Sequence, residues 1–364
     1  MTKQIVTGII GAGRIGKLHV QNIRRIPHMK IKAVSDIQVS RIKSWADSHQ
    51  IEYITSDYRE LLHDPDIDAV FICSPTAVHA QMIREAAEAK KHIFCEKPVS
   101  FCLDETKEAL AAVRKHGVAL QVGFNRRFDP HFKKIKTIVE NGEIGTPHLL
   151  KITSRDPEPP NIDYVRTSGG LFMDMSIHDF DMARYIMGNE VTEVYAKGAA
   201  LVNPSFAELG DIDTAVITLT FENGAMAVID NSRQAVYGYD QRVEVFGTKG
   251  SAAADNSRPT TVEVSTADFV MKDKPHFFFL ERYKDAYEEE ILRFAEAIET
   301  NRETACTGND GFQAERIARA AQQSLAFGMP VSIEHTEKKS HFDQTGLQFS
   351  KLGYRTSIDT LEKK

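Results

Sequence analysis

Three groups of residues carry chemistry by their type and spacing. The first is Gly11-Ala12-Gly13-Arg14-Ile15-Gly16, which follows a β-branched run and opens a helical one. In such a loop the first glycine permits a tight turn and the second lets backbone approach a pyrophosphate. The third lets the helix pack on the strand, and the helix N-terminus offers free N–H groups to the phosphates. Asp36 closes the next strand twenty residues after Gly16, where a carboxylate accepts from a ribose 2′-hydroxyl. An anion there repels a 2′-phosphate, and no Lys or Arg follows before Arg41, so the pattern favours NAD over NADP. An ordinary turn beside an exposed Asp is the bland alternative. A methyltransferase binding an adenosyl cofactor is the stronger rival, since it too uses a Gly-rich turn and an acidic ribose ligand.

The second group, Cys95-Glu96-Lys97-Pro98, ends a strand at the carboxyl edge, where open α/β sheets bind ligands. A Lys there can polarise a carbonyl or alcohol oxygen beside a nicotinamide; alone, this short run would read as a surface Lys next to a turn Pro. The third is the run from Gly169-Gly170 to Asp174 and His178, which sets the last two at i and i+4. On a helix they share one face, so the carboxylate can orient the imidazole and raise its basicity while the imidazole takes a hydroxyl proton. A buried His satisfied by a local Asp is the structural alternative. No third or fourth ligand stands at metal-binding spacing, so no metal is expected.

These groups need elements to position them. From residue 4 to about 122, strand-like runs (Gln4–Ile10, Lys30–Ser35, Ala69–Cys73, His92–Cys95, Val118–Val122) alternate with amphipathic helical stretches, which implies βαβ units and a parallel sheet covered on both faces. From about 146 to 265 the texture changes to Thr214–Phe221, Ala225–Asp230 and Arg242–Phe246, joined by Asn223-Gly224 and by Gly247–Gly250, which reads as antiparallel hairpins. Two long helices follow, Glu281–Thr300 and Asn309–Ala326, the second stopped by Gly328 and Pro330. The last thirty residues, 335–364, hold only seven of the hydrophobic class and read as a polar tail outside either core.

Composition sets the class. A chain of 364 residues exceeds one ordinary core, so two domains are expected. With 42% hydrophobic and 26% charged residues the composition is that of a globular protein. The net charge of −6 argues against a nucleic-acid partner, and no apolar run is long enough to imply a membrane. Four cysteines without CxxC spacing fit a reducing cytoplasm.

Taken together in this order, Gly11-x-Gly13-x-x-Gly16, Glu96-Lys97-Pro98 and Gly169-Gly170 with Asp174-x-x-x-His178 resemble the signature set of the Gfo/Idh/MocA oxidoreductase family, over roughly residues 3 to 334. Within it the likeness is to inositol 2-dehydrogenases, through Gln121-Val122-Gly123-Phe124-Asn125-Arg126-Arg127-Phe128-Asp129, Tyr237-Gly238-Tyr239-Asp240 and the helix from Arg282-Tyr283 to Glu290-Ile291. The resemblance implies an α/β fold: a Rossmann doubly wound parallel sheet, then a C-terminal α+β domain with a large open, mainly antiparallel sheet. The domains would be 1–123 (NAD-binding) and 124–334 (catalytic and oligomerisation), with 335–364 as tail. It also implies a cis bond before Pro98 and subunits packed sheet against sheet as a homotetramer.

The implied activity is NAD-dependent oxidation of a ring hydroxyl of an inositol, a polyol, to the ketone. Carried onto matching positions, Lys97 bonds the reacting oxygen, His178 is the base and Asp174 its partner. Gly11, Gly13, Arg14, Ile15, Gly16, Asp36, Ser74, Pro75, His79, Glu96 and Lys97 would hold the cofactor. Arg127, Arg155, Asp156, Tyr237 and Tyr239 would line the polyol pocket with the catalytic group. One departure is Ser154-Arg155-Asp156-Pro157, where similar enzymes carry His and Asn around the Arg, which leaves the isomer open. A dehydrogenase of an aldose or sugar acid is the neighbouring reading, because Arg127, Arg155, Arg166 and Arg233 could take a carboxylate, although ion pairing with nearby acids accounts for them better. A cofactor-sensing regulator without activity is a third, which the retained Lys97, Asp174 and His178 disfavour.

Overall fold

The near-continuous apolar run Ile5–Ile10 (β1) is buried on both faces, as a central parallel strand must be. It is followed by α1 (Arg14–Ile23), β2 (Met29–Ser35), α2 (Val39–Ser48), β3 (Tyr53–Thr55), α3 (Tyr58–His63) and β4 (Ala69–Ile72). The unit closes with α4 (His79–Glu88), β5 (His92–Glu96), α5 (Leu103–His116) and β6 (Leu120–Gly123). The strands form one parallel sheet in the order β3-β2-β1-β4-β5-β6. The strand order reverses between β1 and β4, which opens a ligand crevice at their carboxyl ends. The computed structural model describes residues 4–334, so the polar tail expected over 335–364 lies outside the described residues.

Beyond residue 123 come α6 (Pro130–Glu140), β7 (Pro147–Arg155), α7 (Ile162–Val165), a π-helical turn (Phe172–Ser176), α8 (Ile177–Met187), β8 (Val191–Ala199) and α9 (Ser205–Glu208). Then follow β9 (Thr214–Phe221), β10 (Met226–Ser232), β11 (Asp240–Gly247), β12 (Gly250–Ala254), β13 (Glu263–Ser265) and β14 (Val270–Lys272). The described chain ends with α10 (Phe279–Arg282), α11 (Lys284–Thr300), α12 (Gly308–Phe327) and β15 (Val331–Ser332).

The second sheet has seven strands in the order β12-β11-β7-β10-β9-β8-β15. Both expected hairpins form, β9–β10 over Asn223-Gly224 and β11–β12 over Gly247–Gly250. Gly224 has φ +82°, which suits a residue without a Cβ. Successive strands β10 and β11 do not pair; β7 lies between them, parallel to β10 and antiparallel to β11. Strand alternation gives the sheet two unlike faces. Leu150, Ile152, Ile217, Leu219, Ala227 and Ile229 are buried on one, whereas Val216, Met226, Val228 and Phe246 are exposed on the other.

Helix α11 follows the second sheet in the chain but packs on the first. Its Ile291, Phe294 and Ala295 share a core with Ile5, Ile9, Phe71 and Phe94. Phe71 and Phe94 stack at 4.9 Å, and Phe294 meets them edge-on at 5.6 and 5.9 Å. A division of the cores at residue 123 therefore leaves out a helix that the nucleotide sheet needs: its α1 face would otherwise expose these aromatics.

Candidate active site

The glycine loop has the stereochemistry its sequence demands. Gly11 has φ +96°, and a Cβ there would stand 2.8 Å from the Cys73 carbonyl. A Cβ on Gly16 would lie 1.9 Å from Gly11 O, so α1 could not approach β1 with any larger residue. A Cβ on Gly13 would meet nothing within 4 Å, which leaves that backbone open to a phosphate at the start of α1. Asp36 closes the loop from the side: its Oδ2 accepts from Ala12 N at 2.9 Å and its Oδ1 from Gln38 N at 2.8 Å. Arg14 and Ile15 begin α1, and the Arg14 guanidinium lies 5.4 Å from the Phe278 ring of the second domain.

Beyond β4, Ser74 and Pro75 lead into a 3₁₀ turn, Thr76–Val78. His79 is buried, with Nε2 2.7 Å from Ser74 O and Nδ1 2.8 Å from Pro98 O. Burial pushes this imidazole down, against the pull of the two carbonyls. His79 thus bridges the loop after β4 and the loop after β5, with one ring N–H to donate while the imidazole is neutral. The Lys97–Pro98 bond is cis. Glu315 of α12 holds the same loop, accepting from Val99 N at 2.7 Å, Ser100 N at 3.2 Å and Thr106 Oγ1 at 2.6 Å. Burial lifts the Glu315 carboxyl to about 8 in spite of these bonds.

Lys97 Nζ reaches the Asp174 backbone oxygen at 2.6 Å and Asp174 Oδ1 at 3.3 Å. Tyr164 donates to the same Oδ1 at 2.7 Å, and Arg233 donates to Oδ2 at 2.9 Å. Burial opposes ionisation of Asp174, but Lys97, Arg233 and the Tyr164 hydroxyl hold its carboxyl down at about 2.

The expected Asp174–His178 pairing is replaced by this arrangement. Asp174 sits in the π-helical turn, which widens the helix just before His178, and its carboxylate faces Lys97 instead. His178 Nδ1 is buried with no hydrogen-bond partner, and the ring stands edge-on to Phe124 at 5.7 Å. Its basicity is not raised: burial, with the charges of Lys97 and Arg126, pushes the imidazole well below its ordinary value.

The proposed pocket residues divide. Asp156 faces the site and accepts from Arg233 Nη1 at 3.2 Å. Tyr239 is buried, its hydroxyl 3.4 Å from Arg126. Arg127 is placed elsewhere: it binds Asp181 through two nitrogens at 2.8 and 2.7 Å and Asp310 at 3.0 Å, deep in the second core. Arg155 projects from the opposite face of the sheet to its buried neighbour Ser154, and pairs with Asp230 at 2.6 Å. Tyr237 goes with it, 3.2 Å from Arg155 and donating to Asp240 at 2.6 Å. The structural reading of Arg127, Arg155 and Arg233 as ion-paired side chains is the one these contacts match.

Further side chains complete the site through contacts that no spacing announced. Tyr164 and Arg233 stand in no motif, and only the fold brings them to Asp174. Arg126 pairs with buried Asp179, and Asn231 donates to the other Asp179 oxygen at 2.9 Å. His19, Glu96 and Glu290, from α1, β5 and α11, bring potential ligand atoms within 4.8 Å of one another. His19 Nε2 already meets Glu96 Oε1 at 2.7 Å, and burial beside Glu96 pushes the Glu290 carboxyl well above its ordinary range.

Comparison with known proteins agrees with the geometry. Residues 5–124 match the model of an oxidoreductase family with an NAD-binding Rossmann fold, and 132–253 match the GFO/IDH/MocA C-terminal domain. The chain belongs to the Gfo/Idh/MocA oxidoreductase family. It is 95% identical over 338 residues to the uncharacterized oxidoreductase YrbE of Bacillus subtilis, covering 93% of this chain and 99% of the relative. It is 48% identical over 327 residues to the myo-inositol 2-dehydrogenase of Thermotoga maritima, covering 90% of this chain and 98% of that one. Among solved structures, scyllo-inositol dehydrogenase from Lactobacillus casei with bound NAD(H) and scyllo-inositol superposes with a TM-score of 0.86 at 32% identity, covering 91% of this chain and 100% of that one. As a Gfo/Idh/MocA member the chain is an NAD-dependent oxidoreductase, and its open Gly13 backbone and the Asp36 carboxylate fit that cofactor.

Proposed function

We propose that the protein oxidises one ring hydroxyl of myo- or scyllo-inositol to the keto-inositol. When bound, NAD supplies the acceptor for the carbinol hydride. His178 removes the hydroxyl proton, and Lys97 donates to the oxygen as it becomes a carbonyl. The observation that carries this reading is the Lys97–Asp174 contact at the carboxyl edge of β5, with a neutral imidazole, His178, beside it. A base must be unprotonated to act, and burial keeps His178 so at neutral pH. Asp174 acts through Lys97, which it anchors, and offers its carboxylate to a substrate hydroxyl. Asp156 is the second acceptor facing the site. The names of the relatives support an inositol as substrate.

The open face of the second sheet, with Val216, Met226, Val228 and Phe246 exposed, supports assembly of subunits sheet against sheet as a homotetramer. Among the described residues no helix is long and apolar enough to cross a membrane; the free cysteines support a cytoplasmic enzyme. The net charge of −6 gives no support to a nucleic-acid partner. The test is NADH formation on a panel of myo-, scyllo- and chiro-inositol against glucose, xylose and uronic acids. Turnover on myo- or scyllo-inositol is expected; turnover on sugars alone would replace this reading with the sugar-dehydrogenase one.

A further inference from the structure

Arg233 follows β10 and is 3% exposed, yet it lies in none of the motifs that mark the site. Its Nη2 donates to Asp174 Oδ2 at 2.9 Å and its Nη1 to Asp156 Oδ2 at 3.2 Å, while its buried Nε has no partner. One guanidinium thus spans two carboxylates that come from different elements, the π-helical turn and the end of β7. A third acid, Asp211, lies close enough to feel Arg233 and Asp174, and its Oδ1 accepts from Leu171 N at 3.0 Å. Neighbouring carboxylates out of water cannot all ionise unless a fixed cation stands among them. Arginine suits the task because it stays protonated and its planar fork reaches two anions at once.

The division of labour on Asp174 makes the geometry specific. Oδ2 is taken by Arg233, which leaves Oδ1 for Tyr164 at 2.7 Å and Lys97 at 3.3 Å. On Asp156 only Oδ2 is engaged by Arg233. We propose that Arg233 is a positioning residue: it clamps Asp156 and Asp174 as a rigid pair of acceptors and thereby holds Lys97 at the substrate oxygen. The proposal rests on the reading of Lys97 as the group that polarises that oxygen. Arg233 touches no reacting atom; it acts through the two acids. The same clamp fixes the spacing at which two substrate hydroxyls can donate, so it bears on which polyol is accepted.

The test compares the wild-type enzyme with Arg233→Met and Arg233→Lys. In Arg233→Met, kcat/KM for the polyol should fall about 10²-fold, the loss expected from misplacing a positioned group. The Asp174 carboxyl, followed by its side-chain NMR signal, should titrate about one unit or more higher, because it loses a cation while Asp156, Asp211, Tyr164 and Lys97 remain around it. NAD affinity should stay within about twofold, since the change leaves the glycine loop untouched. Arg233→Lys keeps the charge but cannot span both acids, so its Asp174 titration should stay in place while kcat/KM falls less. An unmoved Asp174 titration in Arg233→Met, or an equal loss of NAD binding, would assign Arg233 a structural role only.

A readout without substrate separates this from the inositol assignment. Asp174 has a folded value near 2, below the unfolded reference of about 3.9, so the stability it contributes is present above that reference and is lost as pH falls towards 2. The gap in melting temperature between wild type and Arg233→Met should therefore narrow as pH drops through this range. A gap independent of pH would overturn the clamp even if no inositol proved to be a substrate.

Discussion

At the scale of single residues, the catalytic proposal depends on two opposite electrostatic environments a short distance apart. Lys97 and Asp174 form a partly buried ion pair in which the ammonium favours the charged carboxylate. His178 lies in the same field, and burial together with Lys97 and Arg126 keeps it neutral. The base form of His178 should therefore persist below the ordinary histidine value of about 6.5, and the acid limb of kcat/KM assigned to it should fall below that pH. A limb at or above it would contradict the role. Lys97→Ala and His178→Ala should each lower turnover by about 10²–10⁴-fold, with little change in NAD affinity measured by titration. The types of these residues could be read from the sequence, but their partnership could not. An i, i+4 spacing pairs Asp174 with His178 only on a regular α-helix, and the π-helical turn at Phe172–Ser176 removes that regularity. The grip of Tyr164 and Arg233 on Asp174 was hidden for a different reason: Arg233 could be read only as a candidate cation, and folding alone selects the carboxylate each side chain meets.

At the scale of elements, the turn from β1 to α1 shows how three glycines in one motif do separate work. Gly16→Ala would force a Cβ to within 1.9 Å of Gly11 O, so it should destabilise the whole nucleotide domain and lower the melting temperature. Gly13→Ala meets open space, so the fold should persist while NAD affinity drops at least about tenfold through the lost close approach. Calorimetry and NAD titration on the two variants separate the effects; equal melting losses would refute the distinction. Most of the nucleotide sheet was legible because each βαβ unit is local and its strands are apolar and bounded by turn residues. The exceptions have physical causes. Strand β3 has only three residues, too few for a pattern. Helix α11 carries an ordinary amphipathic face that does not reveal which sheet it covers. The insertion of β7 between β10 and β11 is a long-range pairing that no turn signal announces.

At the scale of the whole molecule, the two sheets are joined by more than the connection after β6. Helix α11 returns to complete the nucleotide core, and Glu315 of α12 grips the loop that follows Lys97. The glycine loop, Lys97 and His178 are thereby held on one framework. The opposite face of the second sheet remains apolar in patches, so Val228→Glu should split the proposed tetramer when mass is measured by light scattering, while the monomer stays folded. An unchanged mass would remove that face from the assembly. Arg127 and Arg155, spent on structural ion pairs, leave no unpaired cation of their own for a carboxylate substrate, which accords with an uncharged polyol. The most direct test of the central claim is the transfer of label from myo- or scyllo-inositol deuterated at its ring carbons to NAD, read by NMR of the reduced cofactor. The account predicts deuterated NADH together with the keto-inositol; absence of both from either isomer, with active enzyme on an aldose, would contradict it.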